Sequence, residues 1–184
     1  MKKICLLLLF LGFRQILSME QRDNPNVGID VNGNGVTIFQ DLSTNFIYSN
    51  RLIGGNWDSS STQISTTGLN SSFPIMAFDP TSGYGAAIWV SQDETTGINL
   101  IYGSVYTPPA GSTPGWSTAT LITTSSNISV IPGPGYMSIA INQAGSAFSA
   151  LATWTEYNSV SGNQEIASAT ATTSGWSTAT VIPQ

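Results

Sequence analysis

Gly115-Trp116-Ser117-Thr118-Ala119-Thr120 recurs letter for letter as Gly175-Trp176-Ser177-Thr178-Ala179-Thr180, and a diverged copy stands at Gly55-Asn56-Trp57-Asp58-Ser59-Ser60. The three tryptophans, at 57, 116 and 176, are 59 and 60 residues apart. Self-similarity at a fixed period marks a repeat architecture. Working outward from each tryptophan, the chain divides into three units with one order of segments. The middle unit is the fullest: Pro74–Asp79 (PIMAFD), Tyr84–Val90 (YGAAIWV), Gly97–Thr107 (GINLIYGSVYT) and Trp116–Ile122. Ile98, Leu100, Tyr102, Ser104 and Tyr106 alternate along the third segment. Short runs rich in β-branched and aromatic residues, bounded by Gly, Pro, Asn and Ser, read as strands.

The last unit repeats that order in Tyr136–Asn142, Ser146–Glu156, Gln164–Thr170 and Trp176–Ile182. The first does so in Val27–Val31, Val36–Gln40, Asn45–Ile53 and Trp57–Ile64. Units of unequal length differ in their loops, where extra residues cost little. The expectation is an all-β chain of three four-stranded antiparallel blades of β-propeller type, at 26–64, 74–122 and 136–182. One such sheet cannot bury both its faces, so the units are expected to stack. Trp57, Trp116 and Trp176, with Phe39, Trp89 and Trp154, are the expected filling between them. Three blades do not close a ring of about four to eight. A truncated propeller, or a homo-oligomer completing the ring, is preferred over an open arc with wet apolar faces.

Composition narrows the chemistry. Charged residues are 8% of the 184, against a typical ~25%, while 41% are hydrophobic, so the chain is read as folded. There is no His, and the one Cys is Cys5. Catalytic systems that need His as base are therefore excluded, as are metal sites built on His or several Cys. Met1-Lys2-Lys3 followed by an apolar run from Ile4 to Phe13 reads as a secretory signal peptide, residues 1–18, too short to span a bilayer. Export to the periplasm, cell surface or medium is expected. Without that leader, Arg22 and Arg51 face ten acids, which argues against nucleic acid as a partner. No later segment reaches membrane-spanning length, and no cofactor is expected.

The unit tails, PGWSTATLIT and SGWSTATVIP, resemble the last hairpin of blades in sialidase-type propellers, the Asp-box. Thr113 and Thr173 stand where that motif carries Asp. The resemblance implies the fold. It does not carry the enzyme, because sialidases clamp the substrate carboxylate with three arginines and only Arg22 and Arg51 are available. A closer likeness is to secreted bacterial β-propeller repeat proteins of the pattern apolar-D-x-x-G-x-A-x-x-W … W-S.

Candidate site residues are few. Asp30-Val31-Asn32-Gly33-Asn34-Gly35, with Asp41 at the twelfth position, has the spacing of a calcium loop. The later copies at Asp79 and Asn142 lack the alternate oxygens, so a backbone-capped turn is the preferred reading. Asp93, Glu94 and Glu156 are acids near strand ends; a desolvated pair could serve glycoside hydrolysis, but a solvated loop tip is preferred. Tyr84, Tyr106 and Tyr157 are expected as exposed loop aromatics able to stack on a ligand. Together these features favour a non-catalytic binding or scaffold module for a glycan or protein. The alternative is a remnant or subunit of a glycoside-processing propeller.

Overall fold

The computed structural model describes residues 22–108, 115–123, 128–144 and 147–183. The expected signal peptide, 1–18, lies outside the described residues. The described residues are all-β, in three antiparallel sheets, and none of them is α-helical. The first sheet contains β1 (Arg22–Ile29), β2 (Gly35–Asp41), β3 (Phe46–Ile53), β4 (Asn56–Trp57) and β5 (Thr62–Gln63). The middle sheet contains β6 (Asn70–Phe78), β7 (Gly85–Gln92), β8 (Asn99–Thr107), β9 (Gly115–Trp116) and β10 (Thr120–Leu121). The last contains β11 (Ile128–Val130), β12 (Met137–Ala144), β13 (Ala147–Asn158), β14 (Asn163–Thr172), β15 (Gly175–Trp176) and β16 (Thr180–Val181).

Each sheet runs in sequence order, and its third long strand carries the two short pieces that follow it. The expected fourth strand is thus two two-residue pieces around a corner. Asp58, Ser117 and Ser177 turn that corner by donating their backbone N–H to Arg51, Val105 and Thr170. The expected first strand also starts too late. In the first two sheets it extends upstream past a bulge, at Asp23/Asn26 and Ser72/Ile75, and in the last sheet a 3₁₀ turn separates β11 from β12. A left-handed residue precedes proline at each break: Asn24 (φ 51°), Phe73 (φ 53°) and Gly133 (φ 146°), before Pro25, Pro74 and Pro134. Proline has no N–H for the ladder, so the edge strand must buckle there.

The sheets pack in chain order. At the first seam Ile38, Ile47 and Ile64 of the first unit meet Ala87 and Trp89 of the middle one, with Tyr102 and Trp116 against them. At the second seam Ile88, Val90, Ile101, Val105 and Ile122 meet Ala150, Ala152, Trp154, Ala167, Ala169, Ala171 and Trp176. β7 is buried on both faces, which is why GAAIWVS is apolar almost without interruption. The alanines of β13 and β14 leave room for Trp154 and Trp176.

The third-strand register aligns Ser49, Gly103 and Ser168, which face Thr62, Thr120 and Thr180 across the sheet. Trp116 donates its indole N–H to Ser49 Oγ at 2.8 Å, and Trp176 donates to the Ser104 carbonyl at 3.4 Å. Each tryptophan therefore projects into the unit before its own. Trp57 differs: it pairs with Leu52 on the face of the first sheet away from the middle one and is 50% exposed. The expectation that all three indoles fill seams is corrected at Trp57, because no described sheet precedes the first.

Candidate functional site

A cavity of about 740 Å³ opens at the first seam, between the outer strands of the first sheet and the Trp116 corner. Ser49, Arg51, Asp58, Gln63, Ile64 and Trp116 are among its lining residues. Strand alternation places Ile47, Ser49 and Arg51 on the face of β3 that looks toward the middle sheet. The tight β3–β4 hairpin, with Gly54 and Gly55 both left-handed, returns the chain so that Asp58 sits beside Arg51. Arg51 Nε lies 2.6 Å from Asp58 Oδ2, with both side chains about one-third exposed (30% and 33%). The hydrogen bond from Arg51 to Asp58 holds the guanidinium above its ordinary pKa. Gln63 donates its amide to the Ser65 carbonyl at 3.0 Å, fixing a second planar polar group on the same rim.

This charged pair breaks the repeat. Val105 and Ser117 occupy the matching places in the middle unit, and Thr170 and Ser177 in the last. Ser117 Oγ accepts from Val105 N–H and Ser177 Oγ from Thr170 N–H, both at 3.1 Å. The first unit has exchanged that local bond for a guanidinium and a carboxylate at a groove. An unpaired or locally inconsistent residue in an otherwise regular repeat is where function is expected. In the sequence Arg51 stands out only as a scarce cation, and nothing local pairs it with Asp58. Aligning the units on their tryptophans would have exposed the departure.

The residues expected from sequence fall outside this groove; Asp30, Asn34 and Tyr106 line a separate small pocket of about 10 Å³, and the others do not join them. Asp30 and Asp41 stand before and at the end of β2, so a whole strand separates them. Asp30 Oδ1 accepts the backbone N–H of Asn32 and of Asn34, and Oδ2 accepts the Asn34 amide. Burial pushes this carboxyl up, but the bonds from Asn34 and Asn32 outweigh it and leave the pKa below its usual value. Asp41 caps the next turn through Ser43 and Thr44, and the Ser43 hydroxyl is the main cause of its lowered pKa. Among the described residues no three of Asp, Glu, His and Cys gather as metal ligands would.

Asp93 caps the β7–β8 turn through the N–H groups of Thr95 and Thr96, with Glu94 exposed beside it. Tyr84 stacks on Phe148 with centroids 5.3 Å apart, within the second seam. Tyr106 lies in β8 and is 4% exposed, so the expected loop contact is corrected: it packs beside Trp116. Tyr157 is exposed on the far side of the last sheet, away from the groove.

Glu156 is not a solvated tip. It is 3% exposed, directly opposite Glu165 across β13–β14, and accepts the Trp154 indole N–H at 2.7 Å. Burial is the main cause that raises its pKa; the Trp154 bond opposes this and the Glu165 charge adds to it. A carboxyl whose folded pKa exceeds its unfolded value holds its proton more tightly in the fold. Its stabilising contribution is full below the unfolded pKa, about 4, and is lost as pH rises through the folded one. Glu156→Gln keeps an acceptor for the indole and is expected to melt at a higher temperature than wild type at pH 7. The gap should close toward pH 4. A variant that is less stable at pH 7 would contradict the stated cause. The capped Asp30, Asp41 and Asp79 titrate in the opposite sense, losing stability as pH falls, and cancel in this comparison.

No described helix is long and apolar enough to cross a membrane. Neither a protein-family model nor a curated protein matches the sequence of this chain.

Proposed function

We propose that the chain is an exported, non-catalytic binding module whose sheets serve as propeller-type blades and whose first-seam groove takes a glycan. The observation that carries this reading is the Arg51–Asp58 pair beside Trp116 in an open cavity of about 740 Å³. Sugar recognition needs apolar surface for ring faces and fixed planar groups for hydroxyls, both present on this rim. The leader pattern at 1–18 supports export; fractionation should find the chain outside the cytoplasm with a shortened N terminus.

Glycan-array retention followed by titration of the retained sugar tests the groove. Arg51→Ala or Gln63→Ala should weaken binding about tenfold or more, the worth of one or two hydrogen bonds to a fixed polar group. Tyr157→Ala, on the opposite side of the molecule, should leave it unchanged. Equal affinity in all four proteins would rule the groove out. The enzyme alternative requires a carboxyl in reach of the ligand, and Asp58 is the one lining this groove. Turnover of a glycoside that Asp58→Asn abolishes would favour that alternative instead.

A further inference from the structure

The two internal seams use one design, and the outer faces of the first and last sheets hold its unmatched halves. On the side turned toward the next unit, Val36 and Ala86 match Leu151, Ile47 and Ile101 match Ile166, and Ile64 and Ile122 match Ile182. The first two sets are buried: Val36, Ala86, Ile47, Ile101 and Ile122 are 0% exposed and Ile64 is 7%. Their counterparts in the last sheet are open, with Leu151 at 49%, Ile166 at 39% and Ile182 at 40%. The seat for an indole is present there too, at Ser168, which aligns with Ser49, the acceptor of Trp116. The indole without a seat is Trp57, projecting from the opposite end of the stack.

We propose that copies of this chain associate head to tail, Trp57 of one copy seating on the Ser168, Leu151 and Ile166 face of the next. The occupant is a second copy because the contact continues the packing already formed twice inside the chain. Thr153 stands where Ile38 and Ile88 stand in the other units, Thr155 where Gln40 and Val90 do, and Thr170 where Arg51 and Val105 do, which suits a face that must also meet water when unassociated. The interface is heterologous, using a different surface on each partner. It lies apart from the first-seam groove and stands or falls independently of glycan binding.

Sedimentation equilibrium of the full chain tests it. Wild type should show a mass above one chain that grows with concentration, and Trp57→Ala should weaken association at least tenfold. Leu151→Asp/Ile166→Asp, at positions already open to water, should do the same while retaining the wild-type circular dichroism spectrum. Mixing is the decisive arm. The Trp57→Ala chain keeps its tail face and the Leu151→Asp/Ile166→Asp chain keeps its head face, so together they should form a two-chain species that neither forms alone. A wild type that stays monomeric to about 1 mM overturns the proposal. So does association that neither variant weakens, or a mixture that yields no pair.

Discussion

Trp154→Ala is expected to lower the free energy of unfolding by about 3–5 kcal/mol from lost packing, with the unpaired Glu156 adding about 1–3 more. The indole is 1% exposed at the second seam, and its N–H is the donor to a carboxyl that is itself 3% exposed. Truncation would open a cavity and leave a buried acceptor without its partner. Folded domains have about 5–15 kcal/mol in all, so the variant should sit near the edge of folding at 37 °C. Urea unfolding should show a reduced midpoint with an unchanged slope. Trp154→Phe separates the two contributions, keeping most of the volume and losing the donor. On the Glu156→Gln background Trp154→Ala should cost less than on wild type, since a neutral amide is cheaper to strand than a carboxyl. A loss under about 1 kcal/mol in wild type would mean that the seam relaxes around the gap.

Trp89 occupies the matching place in the middle unit, with different polar surroundings. It is 0% exposed and its Nε1 has no hydrogen-bond partner; Ser91, which aligns with Glu156, pairs with Ser71 at 2.9 Å. The first unit carries Phe39, which has no N–H, stacked on Tyr48 beneath the Arg22 guanidinium. One repeat position thus shows three solutions to the same problem of burying a large ring.

Period-two alternation made the sheet architecture legible: Tyr102, Ser104 and Tyr106 do share the face of β8 turned to the first sheet. The same alternation should have placed Tyr106 in the seam, since it stands opposite Trp116 on that face. The edge-strand bulges were also present in the sequence, as Asn24-Pro25, Phe73-Pro74 and Gly133-Pro134. Proline alone marks a boundary, whereas a left-handed residue and proline together let the strand resume beyond the break. Trp57 could not be read locally. Its stretch is a diverged copy of that around Trp116, and its exposure depends on whether a sheet lies before it, which is a fact about the assembly. The groove is not legible locally for a related reason: Arg51 and Asp58 are seven residues apart and meet across a hairpin whose corner has the composition of continuous strand.

Trp176→Ala is expected to cost about 3–5 kcal/mol, whereas Trp57→Ala, measured where the chain is dilute, should cost about 0.5 kcal/mol or less. Both tryptophans hold the same place in the repeat, opposite Leu52 and Ala171 of the third long strand, so the contrast reads the neighbour. Trp176 is 9% exposed and lies on the bare backbone of Gly103, where a Cβ would fall 2.5 Å from its Nε1, 2.8 Å from Ile122 Cδ1 and 2.9 Å from the Ala87 carbonyl. Gly103→Ala should therefore cost about 1–3 kcal/mol by overpacking. Because one of the three clashes is with the indole, the double variant should be less destabilised than the sum of the singles, by about 0.5 kcal/mol or more. Strict additivity, read from urea midpoints of the four proteins, would show that Trp176 does not press on that glycine. Equal costs at Trp57 and Trp176 would remove the distinction between a filled and an open seam, and with it the reason for expecting copies to join.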